Sequence, residues 1–197
     1  MPGPQEMLNV LMEGNQRWVL GQLEHPDQTV ERRLALAPHQ DPFAVVFSCI
    51  DSRVPPEIIF DRGIGDLFVL RTGGQALDEQ VVLGSIEFGP AGYEQARLIV
   101  VLGHERCGAV IAAIEAIQSG VLAPGHIQAV VDALHPAYEV AVRQPGDLVE
   151  NMVRAQVRLT VDRLKADPLI ADLISDHGLL VVGGRYGLES GKVEIIA

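Results

Sequence analysis

At 197 residues, the chain is long enough for one domain that buries roughly 70% of its unfolded surface, and 48% hydrophobic against 21% charged residues excludes disorder. A net charge of −11 repels nucleic acid and anionic lipid. No apolar stretch nears the ~18–20 residues of a bilayer span, and Met1-Pro2-Gly3-Pro4-Gln5-Glu6 lacks the basic start and apolar core of a secretory signal. These features predict a cytoplasmic protein with neither nucleic acid nor membrane as partner. In chain order, Met7, Leu8, Leu11, Met12, Trp18 and Val19 recur at helical spacing and leave Glu6, Glu13, Asn15 and Arg17 outward. Residues 1–40 therefore read as a helical arm only loosely tied to the rest, with a second short helix over 29–36 stopping before Pro38. Such an arm packs on its own core or on a neighbouring subunit.

Beyond Pro42, short β-branched runs alternate with helical stretches. Residues 43–49, 67–71, 97–103 and 179–183 read as strands apolar on both faces, as inside a parallel sheet covered on both sides. Helices are predicted over 55–60, 78–88 and 107–118. Longer helical material fills 125–165, where Asp147 and Glu150 supply N-terminal capping chemistry. A last strand over 192–196 joins an edge after Glu189-Ser190-Gly191. The predicted fold is α/β and spans 1–197 as a single domain. It has an open, mainly parallel sheet of four strands plus an antiparallel edge strand, helices on both faces, and the N-terminal arm.

The only two cysteines sit directly after predicted strands. Cys49-Ile50-Asp51-Ser52-Arg53 follows the first, and His104-Glu105-Arg106-Cys107 follows the third. Thiols, imidazole and carboxylate are the donors of tetrahedral zinc sites, and without a secretory signal such thiols serve metal or catalysis before disulfides. Ligands in open α/β sheets collect beyond the carboxyl ends of strands, where the strand order reverses. If these two strands are neighbours there, Cys49, His104 and Cys107 converge, with Cys107 on the first turn of a helix whose dipole favours the thiolate. Asp51 then has two possible places. It fills the fourth position of a closed site, or it pairs bidentately with Arg53 while water takes that position.

Together, Cys49–Arg53 and Gly103-His104-Glu105-Arg106-Cys107-Gly108 resemble the signature of the β-class carbonic anhydrases, over about residues 40–117 and more weakly over 181–195. The resemblance implies zinc on Cys49, His104 and Cys107, an Asp51–Arg53 catalytic dyad, and a homodimer or homotetramer with N-terminal helices laid across a partner. Gln40 matches a glutamine nine residues before the first cysteine that bonds substrate in one branch of the family. Phe68 matches that branch's pocket aromatic nineteen residues after the cysteine. Val46 stands where the other branch has tryptophan, which implies the branch with an open, water-bound zinc, with Asp51 still able to close on the metal at lower pH. The family's usual pocket tyrosine is Phe88 here, its Ala-Gly-Asn is Gly73-Gly74-Gln75, and a relay histidine found in some members is Gly92. The implied reaction is reversible hydration of carbon dioxide to bicarbonate and a proton by zinc-bound hydroxide. Phe68, Phe88 and Val54 would wall the carbon dioxide pocket, and Gln40, from its own or a partner chain, would hold bicarbonate. Two thiolates already neutralise the ion, so activity is expected to rise on the alkaline side of neutrality. His39 is the candidate proton relay outside the motifs. Rival readings are hydrolysis of carbon disulfide or carbonyl sulfide on the same site, or a non-catalytic closed-zinc structural or sensor module. Arg53 separates the last from an enzyme, since a structural site has no use for a guanidinium drawing Asp51 away.

Overall fold

The computed structural model of the chain describes residues 3–77 and 80–197. Every residue of β1 (Ala44–Cys49) and of β3 (Leu98–His104) is buried. Side chains alternate across a strand, so the continuous apolar runs predict helices on both sides of the sheet. The five strands lie in the order β2-β1-β3-β4-β5, with β2 at Leu67–Thr72, β4 at Leu180–Tyr186 and β5 at Val193–Ile195. The first four run parallel, and β5 pairs antiparallel with β4, as the sequence predicts. From β1 the chain winds outward to β2, then returns to the other side of β1 to form β3. The strand order therefore reverses between β1 and β3.

On one face, Ala44, Val46, Leu98, Val100 and Leu102 pack with α1 (Pro4–Leu20), α5 (Gly108–Ser119) and α6 (Ile127–Ala141). On the other, Val45, Phe47, Ile99 and Val101 meet α4 (Gln80–Gly92), α7 (Leu148–Lys165) and α8 (Pro168–His177). A Cβ on Gly103 would lie 2.5 Å from Val157 Cγ2, so only glycine lets α7 press this closely on β3. Asp147 caps α7 by accepting from Glu150 N at 2.7 Å. The α8 helix, absent from the sequence reading, starts the same way, with Asp167 accepting from Ile170 N at 3.1 Å and proline in the first turn. The first two positions of the helix predicted over 78–88 lie outside the described residues.

The arm departs from expectation at α1, which is tied firmly to its own chain. Met7, Leu8 and Leu11 are buried. Asn15, expected outward, is 4% exposed. Its Nδ2 donates to Ile59 O at 3.2 Å and Gly191 O at 2.8 Å, and its Oδ1 accepts from Val193 N at 2.9 Å. Arg17, also expected outward, donates through Nε to buried Asp61 at 2.6 Å. A polar residue on an apolar helix face reads as solvent-facing until backbone partners from distant segments are known. By contrast α2 (Val30–Leu36), capped by Thr29, buries none of its residues. Among the described residues no helix is long and apolar enough to cross a membrane.

Candidate metal centre

Ser48 of β1 is in register with Leu102 of β3, so Cys49 and His104, each the last residue of its strand, emerge side by side at the point of reversal. Cys107 follows three residues later and N-caps α5. Arg106, between the two ligands of this turn, adopts φ 48, a left-handed conformation unfavourable for a side chain of its size. That bend returns Cys107 toward His104. The donor atoms of Cys49, His104 and Cys107 lie within 4.8 Å of one another, and all three residues are buried.

The two sulfurs are 3.8 Å apart. Tetrahedral zinc, with bonds of about 2.3 Å to each sulfur, places two thiolates about 3.8 Å apart. His104 Nδ1 lies 2.9 Å from Glu105 O, and a carbonyl only accepts, so Nδ1 donates and Nε2 carries the bare lone pair. Nε2 is buried without a hydrogen-bond partner, a costly state unless something else uses it. The hydrogen bond from Cys107 most strongly pulls the Cys49 thiol down, to about 4, against the opposing effect of burial, with His104 and the amides of Asp51 and Gly74 adding to it. The same contact pushes Cys107 up. The pair thus sheds one proton readily and keeps the other until a cation replaces it. Two sulfurs and one aimed imidazole nitrogen fit zinc.

Beside this cluster Arg53 grips Asp51 with a fork, Nε to Oδ1 at 2.9 Å and Nη2 to Oδ2 at 2.6 Å, while its amide also donates to Oδ1 at 2.9 Å. This hold draws the Asp51 carboxyl down to about 2. Asp51 Oδ2 remains 3.9 Å from His104 Nε2. Both Asp51 and Arg53 line a cavity of about 510 Å³ with Cys49, and α5 and α6 supply its apolar wall through Ala109, Ala112, Ile127 and Val130.

Cys49, His104, Cys107, Asp51 and Arg53 are therefore gathered at one place. Gln40, Phe68 and Phe88 are not among them. Phe68 is in register with Val45, four residues before Cys49, which is about 13 Å down the sheet at ~3.3 Å per residue. There it packs edge-on against Phe88 at 6.1 Å and Tyr93 at 5.1 Å, and Gln40 Nε2 donates to Tyr93 Oη at 3.1 Å. Val54 is 1% exposed and belongs to the core beneath the turn, two residues before α3 (Pro56–Ile59).

Sequence reasoning missed the groups that hold the first motif. Arg71, at the end of β2, donates through Nε to Cys49 O at 2.7 Å and through Nη2 to Asp51 O at 2.5 Å. An arginine in an apolar strand was the available signal. Gly74 donates its amide to Cys49 Sγ at 3.3 Å from φ 62, and a Cβ there would lie 3.1 Å from Leu134. No side chain announces that contact.

A sequence model of the family described as carbonic anhydrase matches residues 44–193. The chain is 44% identical over 183 residues to carbonic anhydrase 2 of Mycobacterium tuberculosis H37Rv, covering 92% of this chain and 87% of that protein. It is 40% identical over 186 residues to a carbonic anhydrase of Mycolicibacterium smegmatis, covering 94% and 89%. Among solved structures, a tetrameric β-carbonic anhydrase of Sordaria macrospora has the same fold, with TM-score 0.77 at 20% identity over 98% of both chains. Coccomyxa β-carbonic anhydrase aligns with TM-score 0.72 at 23% identity, over 96% of this chain and 86% of its own.

Proposed function

The chain belongs to the β-carbonic anhydrase family, and on that premise we propose that it interconverts carbon dioxide and bicarbonate at a zinc held by Cys49, His104 and Cys107. The observation that carries this reading is the meeting of two thiols with an unpartnered buried imidazole nitrogen, beside a carboxylate whose oxygens are both taken by Arg53. Zinc bound there would supply the Lewis acidity that makes water nucleophilic at mild pH.

The remaining work falls to this chain's own side chains. The fork from Arg53 fixes the Asp51 carboxylate toward the cavity and away from direct ligation, which supports an open resting site over a closed one. In that pose Asp51 Oδ2 accepts a hydrogen bond from the attacking water and orients its lone pair toward carbon dioxide. Arg71 keeps the backbone of Cys49 and Asp51 from shifting as charge moves. The apolar wall of α5 and α6 suits a small, non-polar substrate and holds bulk water back.

We propose further that the working unit is a homodimer or a dimer-based tetramer of single-domain chains, and that Gln40, Phe68 and Phe88 serve a partner's cavity. Supporting this, β2 is a half-buried edge strand, Phe88 is 59% exposed and Val81 75% exposed, and α2 buries none of its residues. Two free buried thiols support residence in a reducing compartment such as the cytoplasm. The test is stopped-flow carbon dioxide hydration on zinc-loaded and chelator-stripped protein. Activity that appears with zinc and vanishes on stripping supports the assignment; a zinc-loaded rate equal to buffer at pH 8–9 overturns it.

A further inference from the structure

We propose that Glu105 is a positioning residue for His104, clamping the turn so that the imidazole presents a bare Nε2 to the two thiols. The inference rests on the reading of His104 as a zinc ligand. The turn His104–Cys107 delivers two of the three donors, yet it holds a left-handed Arg106 that would relax if nothing restrained it. Two staples restrain it, both to the end of β4 and the segment that joins it to β5. Glu105 Oε2 accepts from Leu188 N at 2.9 Å, and its Oε1 meets Arg185 Nη2 at 3.1 Å. Arg106 Nη1 donates to Glu189 Oε1 at 2.9 Å.

Glu105 is the stronger staple because it is anchored from behind. Arg185, only 17% exposed, also binds Glu150 at 2.9 Å, and Glu150 is held by Arg154 at 2.7 Å. The Glu105 amide donates to Tyr186 O at 2.9 Å, extending the β3–β4 ladder by one step. With amide and carboxylate both fixed, the bond that carries the Glu105 carbonyl is set in direction, the Arg106 tie to Glu189 holds the far side of the peptide, and it is this carbonyl that accepts from His104 Nδ1. An acceptor fixed at Nδ1 selects the tautomer whose lone pair sits on Nε2. The side chain of Glu105 thus acts on the metal through a backbone atom, out of reach of the substrate cavity.

The test combines zinc affinity, measured by chelator competition, with the His104 tautomer, read from long-range ¹H–¹⁵N correlations on zinc-free protein. Glu105→Ala is expected to weaken zinc binding roughly 10- to 100-fold and give a mixed tautomer, as removal of an outer partner of a liganding histidine does. Glu105→Gln, which keeps an acceptor for Leu188 N but loses the charge facing Arg185, should fall between. Leu11→Ala, destabilising elsewhere in the core, should change neither readout, which separates positioning from general loss of stability. Zinc affinity within about twofold of the parent together with an unmixed Nδ1–H tautomer in Glu105→Ala overturns the proposal. If that variant does not fold, the same two readouts on Glu105→Gln decide. If the parent chain itself binds no zinc, the ligand reading fails first and the proposal fails with it.

Discussion

Arg53 decides what Asp51 is for. A free carboxylate next to two thiols and an imidazole would be the natural fourth ligand of a closed zinc site. The bidentate guanidinium occupies both oxygens, and in the proposed mechanism that leaves Asp51 to act on water. Arg53→Ala should therefore lower the hydration rate roughly 10²-fold, the usual weight of one positioned proton-handling group. One zinc per chain should remain, as metal analysis on the same sample would show. An unchanged rate would show that the reaction does not need the Arg53 hold on Asp51. His104→Ala has the opposite signature, with loss of zinc stoichiometry as well as rate while the far-ultraviolet circular dichroism of the sheet persists. At this scale the side chains that gather at the candidate centre were legible because their chemistry is written in their type and in their place after a strand. Arg71, the Gly74 amide and the Glu105 carbonyl were not. Two of those act through backbone atoms, and all depend on which segments the fold brings together.

Elements carry these residues, and their docking has its own energetics. Leu11 is fully buried under the sheet, so Leu11→Ala should destabilise the chain by about 3 kcal/mol in denaturant unfolding. The second tie of α1 is ionic. Burial pushes the Asp61 carboxyl up, but the hydrogen bond from Arg17 and the amides of Glu24 and His25 outweigh it and leave it below the ordinary value. A group whose pKa is lowered on folding stabilises the fold above its unfolded pKa, near ~4 for aspartate. That stability is lost as pH falls through the lower folded value. Asp61→Asn should thus be less stable than the parent at pH 7 and show a flatter acid limb below about pH 4; parallel acid limbs would mean Asp61 contributes no such linkage. The strands were legible from continuous apolar runs, which only a doubly covered sheet explains. The α8 helix was passed over because it is a single short amphipathic stretch, although Asp167-Pro168 marks its start. The docking of α1 stayed hidden because Asn15 and Arg17 look like solvent-facing residues until Ile59, Gly191, Val193 and Asp61 are placed beside them.

For the whole molecule, the division of the expected site residues between two ends of one sheet is the telling feature. The donors and Asp51–Arg53 lie beyond the carboxyl end, while Gln40, Phe68 and Phe88 lie toward the other end of β2. A single chain cannot bring them together without unfolding its edge strand; the proposed second copy against β2 would. Phe88→Glu, at an exposed position that costs the fold little, should dissociate the assembly in analytical ultracentrifugation and reduce activity with it. A monomer with full activity would show that each chain is complete alone. Sequence alone left this open, because a residue's place along a strand is local information and its role across an interface is not.

The central claim is that Cys49, His104 and Cys107 hold one catalytic zinc with a position left for water. X-ray absorption at the zinc edge of the loaded protein tests it most directly. The account predicts two sulfur neighbours at about 2.3 Å, one imidazole nitrogen and one further light atom. A shell without sulfur, or one unchanged in Cys49→Ser, would contradict it.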